Sequence, residues 1–403
     1  MNGTETSLPL EGLRVVEMSL AVMGPTAGMV LADMGAEVIR VERTPEGDDT
    51  RRLKGFGAGF FTCFNRNKKS LVLDLKREEG REVLERLLAT ADVLVENFAP
   101  GTVDRLGFGY DRVKEINPRI VYCSLKGFMP GPYEHRPALD EVCQMMGGLA
   151  YMTGPSGRPL RAGASVVDIL GGSFGVIGIL AALYERERTG RGQHVRATLF
   201  EAVALLVAQH MAVAAVTGEA PPPMPERGRA WSVYDLFETA DRDLVFIGLT
   251  SDAHWRRFCA AFGFDDLAAD PHLAANNDRI DRRDRLLPEL RRRVALREKA
   301  EIMALAEGAG IPFAPIAKPQ DLFEDPQLNA SGGLVETRLP DGRTVRLPKI
   351  PLRMGERDFG LRRHPPAPGE GSEDLLRSLG IGPERAAELE AAGILVRRPE
   401  GGG

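Results

Sequence analysis

The sequence predicts an α/β fold with a parallel sheet, and two observations carry that prediction. Five compact, β-branched runs alternate with helical stretches over the first 126 residues, the order expected of repeated strand–helix–strand units. The connectors between those runs are of helical length, and parallel pairing needs crossovers that long. In chain order the strand candidates are LRVVEM at 13–18, AEVIRVE at 36–42, KSLVLDL at 69–75, ADVLVEN at 91–97 and RIVYCSL at 119–125. The helical candidates between them are PTAGMVLADMG at 25–35, EEGREVLERLLATA at 78–91 and VDRLGFGYDRVKEIN at 103–117. In the second helix Val83, Leu84, Leu87 and Leu88 make one apolar stripe, as suits a helix lying on a sheet.

From Gly175 to Val216 the pattern turns helical and apolar. LFEAVALLVAQHMAVAAVTG at 199–218 is hydrophobic on most sides, so it is expected to be buried, between subunits. The prolines of GEAPPPMPERGRA at 218–230 break the helix. WSVYDLFETADRDLVFIGLT at 231–250 reads as a hairpin turning at Asp241–Asp243, followed by helices to about Gly310. LVETRLPDGRTVRLPKIP at 334–351 reads as a second hairpin, signalled by Asp341-Gly342. RRHPPAPGEGSEDLL at 362–376 suggests a surface arm before a final helix.

A chain of 403 residues with 43% hydrophobic content and mixed charge reads as a soluble globular protein. The net charge of −5 gives no electrostatic reason to expect nucleic acid or an anionic membrane as partner. Cys63, Cys123, Cys143 and Cys259 have no metal-ligand or CxxC spacing, so buried thiols in a reducing compartment are expected. The six histidines share no metal-like spacing either, and no metal is expected. The first residues lack a basic region and an apolar signal core, and no run reads as long enough to span a membrane. A cytoplasmic protein is the expectation.

Asp168 is the carboxylate that stands out. In AGASVVDILGGSFG it follows an apolar stretch and precedes Gly171, Gly172 and Gly175. Small residues at a helix start leave such a group open to a substrate, although an aspartate there also serves as an N-cap. Cations gather near the ends of the first strands: Arg43, Arg51, Arg52, Lys68, Lys69, Lys76 and Arg105. They suit a phosphorylated ligand at the edge of an open sheet, or are solvated surface charges. The strand–helix–strand run at 13–42 lacks a GxGxxG turn, reading SLAVMGPTAG instead, which argues against a nicotinamide cofactor.

The landmarks PLEGLRVVE, LADMGAEVIRVER, GDDTR, FNRNKKSLVLDLK, the run from Ala91 to Phe128, VVDILGG and AALYERERTGRGQ stand in one order. Weaker echoes follow in GIPFAPI, DLFEDPQ and SLGIGPERAAELEAAGI. Together they resemble the class III CoA-transferases, the family of formyl-CoA transferase and carnitine CoA-transferase, over nearly the whole chain. The resemblance implies a large Rossmann-like domain built from both chain ends, a smaller α+β domain, and two subunits interlocked as a homodimer. Placed on this sequence, the large domain takes 1–204 and 336–403, the small domain 231–320, and linkers 205–230 and 321–335. Coenzyme A thioesters are implied as co-substrates with a small carboxylic acid, and no tightly bound cofactor. By resemblance Asp168 is the nucleophile, forming a mixed anhydride and then an aspartyl-CoA thioester. Arg43, Lys76 and Arg105 match positions at the nucleotide end of CoA, and Leu73, Asn97 and Phe98 match its adenine and pantetheine path. Backbone N–H groups at Gly171 and Gly172 are candidates for oxyanion stabilisation, with close helix packing as the alternative.

The departures narrow the chemistry. Racemases of the superfamily carry a histidine directly before an acid where this chain has Leu139 and Asp140 in RPALDEVCQMMGG. Without it, two-base proton shuttling lacks one base. Oxalate-using relatives carry a tyrosine at the Leu139 position and a polar pair where Leu20 and Val22 stand, together with a tetraglycine run absent here. An acceptor pocket less polar than oxalate needs is expected around Met18, Leu20, Val22, Met23, Leu139 and Asp140. Arg136, Arg161 and Arg227 are unassigned candidates for an acceptor's cation. The reading is CoA transfer from an acyl-CoA donor to a carboxylic acid. Intramolecular transfer within a dicarboxylyl-CoA and α-methylacyl-CoA racemisation stay open as alternatives.

Overall fold

Strands packed on both faces favour apolar runs, and residues 71–73 and 93–95 supply them. The computed structural model describes residues 7–226, 230–339 and 342–398. Its first unit, Met1–Glu226 with Pro326–Gly403, is an α/β layer structure around a mostly parallel sheet. The strands are β1 Arg14–Met18, β2 Glu37–Arg43, β3 Lys68–Leu73, β4 Val93–Glu96, β5 Val121–Lys126 and β6 His194–Thr198. Their spatial order is 3-2-1-4-5-6, the order of doubly wound nucleotide-binding sheets.

The helices of this half are α1 Met23–Asp33, α2 Phe60–Phe64, α3 Glu78–Ala89, α4 Thr102–Arg105, α5 Tyr110–Ile116, α6 Asp140–Met146, α7 Leu149–Thr153, α8 Val166–Thr189, α9 Leu199–Leu206 and α10 Ala208–Thr217. The single helix expected at 103–117 is two, because Gly107 adopts φ +87° between them. Helices α1 and α8 share one face of the sheet with Val15, Val38, Val121 and Cys123. On the other face α3 and α5 pack against Val16, Ile39, Leu71 and Leu94. The β4–α5–β5 and β5–α8–β6 steps run the same way on opposite faces, so they have opposite hands. That is a rare departure from the right-handed rule. It leaves Tyr122, Ser124, Lys126, His194 and Arg196, on the face away from α8, lining an open cavity of about 910 Å³.

The second unit, Arg227–Asp325, holds an antiparallel sheet of β7 Val233–Glu238, β8 Leu244–Leu249 and β9 Phe313–Pro315. The hairpin turn falls at Thr239–Asp243 as expected, with Arg242 at φ +61°. Helices α11 Asp252–Phe262, α12 Asp265–Ala269, α13 Asn276–Asp281, α14 Arg283–Val294 and α15 Lys299–Gly308 complete it. Trp255, Phe258 and Phe262 are core, while Trp231 stays 37% exposed against Tyr234.

In the C-terminal stretch, α16 Pro326–Ala330 precedes the hairpin β10 Leu334–Arg338 and β11 Thr344–Pro348. Asp341 of its turn lies outside the described residues. The segment read as a surface arm is pinned instead: Arg362 donates to the Asp33 carbonyl at 3.2 Å, and Arg51 to the Pro366 carbonyl at 2.7 Å. Two helices follow, α17 Ser372–Ser378 and α18 Pro383–Ala391, and β12 Leu395–Val396 adds an antiparallel edge strand to β3. One other expectation also fails. Helix α8 is 24 residues long and apolar enough in length and composition to cross a membrane, although Val167, Val176 and Ile179 pack into the core as in a buried helix. Helix α10, expected to be buried between subunits, has no buried residue within its own chain.

Candidate functional site

Ligands of open α/β sheets sit beyond the carboxyl ends of the strands, where the strand order reverses. Here that point lies between β1 and β4. The loop after β1 is Ser19–Val22, and Ala21 holds the left-handed conformation at φ +62°, unusual for a residue with a Cβ. Asn97, just beyond β4, ties this loop down: its Oδ1 accepts the Leu20 N–H at 2.7 Å and its Nδ2 donates to the Leu20 carbonyl at 2.9 Å. Gly24 is required beneath the loop, since a Cβ there would meet the Ser19 Cβ at 2.3 Å.

Asp168 occupies the first turn of α8. It does not cap its own helix: Ser165 is the N-cap, with no side-chain cap bond. The cap comes from Asp140 on α6, whose Oδ2 accepts the N–H groups of Val167 at 2.9 Å and Asp168 at 3.1 Å. Asp140 Oδ1 in turn accepts from Gln144 at 2.6 Å and Arg161 at 3.3 Å. Among the described residues nothing donates to the Asp168 carboxylate. Burial pushes its pKa up to about 7, the Asp140 charge adds to the rise, and Arg161 opposes it. The result is a carboxyl group, unsatisfied by protein donors, poised near neutrality.

The glycines that follow have a packing role. A Cβ on Gly171 would meet Met23 Cε at 2.5 Å, and one on Gly172 would meet the Met23 carbonyl oxygen at 2.5 Å. Their N–H groups lie inside α8, where i→i−4 bonding occupies them. Of the two expected roles for these glycines, these contacts favour close α1–α8 packing. Asp168 lies one turn before them on α8.

The other expected positions divide by exposure. Arg43 is exposed at the end of β2, paired with Asp49. Lys76 is exposed just beyond β3. Arg105 lines the 910 Å³ cavity, bonded to Thr102 Oγ1 at 3.0 Å. Phe98 is half-buried against the α3–α5 core. Leu73 is 1% exposed in the sheet, and Asn97 spends its amide on Leu20, so neither side chain faces a ligand openly. Leu20 and Leu139 are exposed at 45% and 70%. Met18, Val22 and Met23 are buried in the core, and Asp140 is a buried cap. Arg136 lies over the Tyr133 ring, Arg161 joins the Asp140 cluster, and Arg227 is outside the described residues. Sequence reading missed Gln144, whose i, i+4 spacing from Asp140 on α6 was the available signal. It also missed Phe56, whose ring lies 6.0 Å from the Arg161 guanidinium. Among the described residues no group of three or more His, Cys, Asp or Glu is placed to hold a metal.

Comparison with known proteins follows the same lines. The sequence pattern of CoA-transferase family III matches residues 10–372. A succinate–glutarate CoA-transferase of Agrobacterium fabrum is 32% identical, covering 92% of this chain and 96% of that one. A formyl-CoA:oxalate CoA-transferase of Streptomyces coelicolor is 34% identical, covering 97% and 100%. The crystal structure of a CAIB/BAIF family protein from Brucella suis superposes with a TM-score of 0.83 at 34% identity, over 93% of this chain and 100% of that one.

Proposed function

The chain belongs to CoA-transferase family III and is an acyl-CoA:carboxylate CoA-transferase; we propose that it works through covalent intermediates on Asp168. The Asp168 carboxylate attacks the donor thioester carbonyl, the C–S bond breaks, and CoA leaves as thiolate from a mixed anhydride. The thiolate then attacks the aspartyl carbonyl, releasing the donor's acid and leaving an aspartyl-CoA thioester. An acceptor carboxylate displaces CoA from that carbonyl, and the thiolate returns to the acceptor's carbonyl, freeing product and Asp168.

The observation that carries this reading is the state of Asp168: half-buried, with no donor to its carboxylate among the described residues, its pKa lifted to about 7. Such a carboxylate is more nucleophilic than a solvated one and still about half ionised at neutral pH. Arg43, Lys76 and Arg105 are proposed to meet the phosphates, with Phe98 along the pantetheine path and Asn97 acting through the Leu20 loop. Exposed Leu20 and Leu139 favour an acceptor with an apolar body. The named relatives act on dicarboxylates, and a succinyl-CoA donor is the first to try. The protein is further proposed to be an interlocked homodimer, because Ile177 of α8 and Met211 and Val216 of α10 are 59%, 59% and 86% exposed. The test of the chemistry is hydroxylamine trapping during turnover: Asp168 becomes a hydroxamate, and Asp168→Ala gives neither hydroxamate nor transfer.

A further inference from the structure

Beneath α1 lies a charge cluster that the reaction above does not use. Glu17 of β1, Arg40 of β2 and Lys68 of β3 have side chains no more than 1% exposed. The Lys68 ammonium is 2.7 Å from Glu17 Oε2, and donates to the Pro25 carbonyl at 3.0 Å and to Asn65 Oδ1 at 2.9 Å. The Arg40 guanidinium donates to Glu17 Oε1 and to the Asp48 carboxylate, and at 2.9 Å to the Ser19 carbonyl. The Ser19 hydroxyl donates to Glu17 Oε1 at 2.6 Å. Asp48 Oδ1 accepts the Thr50 N–H at 2.8 Å, capping the turn that holds Asp49. Gly28 makes the arrangement possible, because a Cβ there would lie 1.8 Å from Glu17 Oε2.

Stability alone is a poor reason for such a cluster, since buried ion pairs are often replaceable by apolar residues at no loss. What sets this one apart is where its bonds end. Arg40 reaches the loop after β1 and the loop after β2, and Lys68 reaches the first turn of α1. All three segments leave the carboxyl edge of the sheet, and Met23, the residue that follows Ser19–Val22, lies against Gly171 and Gly172 of α8, one turn past Asp168.

We propose that the Glu17–Arg40–Lys68 cluster is a positioning device for the site, in which Arg40 holds the Ser19–Val22 loop from below while Asn97 holds it from above. The catalytic part of the proposal rests on the reading of Asp168 given above. Arg40 is the residue to change, because a lysine keeps the charge but cannot span Glu17, Asp48 and the Ser19 carbonyl with one planar fork. In full-length Arg40→Lys, backbone amides of residues 19–24 exchange with deuterated water at least about tenfold faster. The value of kcat/KM for an acyl-CoA thioester falls by about tenfold or more, mainly in kcat, as expected for a misplaced reacting geometry. The urea midpoint stays close to that of the unchanged protein. Unaltered exchange at 19–24 overturns the proposal, and so does faster exchange with unaltered kcat/KM. A lowered urea midpoint with unaltered kcat/KM makes the cluster merely structural and overturns it too. Should Arg40→Lys fail to fold, Arg40→Gln with Asp48→Asn removes one buried charge of each sign, leaves Glu17 paired with Lys68, and is read in the same way. Absence of a hydroxamate at Asp168 in the unchanged enzyme would instead strike the covalent mechanism, and amide exchange would still judge the cluster.

Discussion

Two carboxylates one hydrogen-bonding step apart have been given opposite work at the residue scale. Asp140 is fully engaged, by two α8 N–H groups, Gln144 and Arg161. Among the described residues nothing donates to the Asp168 carboxylate, and burial first, then the Asp140 charge, lifts its pKa to about 7. The nucleophile must be ionised, so adduct formation should rise across about one unit either side of that value and level off above it. Asp140→Asn removes the like charge but keeps an oxygen for the α8 cap, and burial remains. The inflection should therefore move to lower pH without reaching the ordinary carboxylate range. The adduct rate at about pH 6, relative to the plateau, should rise several-fold. An inflection that stays put in a stopped-flow pH series would show that Asp140 does not tune Asp168.

Among the elements, α8 decides the geometry, because Gly171 and Gly172 let its first turns lie directly on α1. Gly172→Ala puts a methyl group 2.5 Å from the Met23 carbonyl oxygen, and overpacking of that kind destabilises by about 1–3 kcal/mol. A urea titration should show that loss, while Gly163→Ala, with nothing within 4 Å, should be near neutral. Much at this scale was legible in sequence. The β-branched runs became β1 to β5, and the glycine pattern marked a close helix contact. Three things were not. The strand runs carried Glu17, Arg40 and Lys68 at positions a buried parallel strand normally gives to apolar residues, and nothing local says that three such charges meet. Asp140 read as a pocket residue because its bonds span 27 and 28 positions to Val167 and Asp168. The short β12 was invisible because two residues carry no periodicity.

For the whole molecule, the open question of coverage is quantitative. Helix α10 has no buried residue in its own chain, and a largely apolar helix is rarely left in water. The proposed homodimer predicts a particle of twice the 43.9 kDa chain mass in light scattering. Met211→Asp with Val216→Asp should shift it to the single-chain mass. A single-chain mass for the unchanged protein would remove the dimer from the account. Family membership and the α/β sheet were both legible from ordered motifs spread over the chain. The path of α8 over the face of α1 was not, since sequence alone expects the right-handed choice.

The covalent role of Asp168 is tested most directly by mass spectrometry of the enzyme mixed with a small panel of acyl-CoA thioesters, followed by peptide mapping with and without hydroxylamine. The expected result is a CoA-sized adduct confined to the peptide bearing Asp168, discharged by hydroxylamine to a hydroxamate at that residue and absent from Asp168→Ala. Steady CoA transfer with no adduct and no hydroxamate at Asp168 would contradict it.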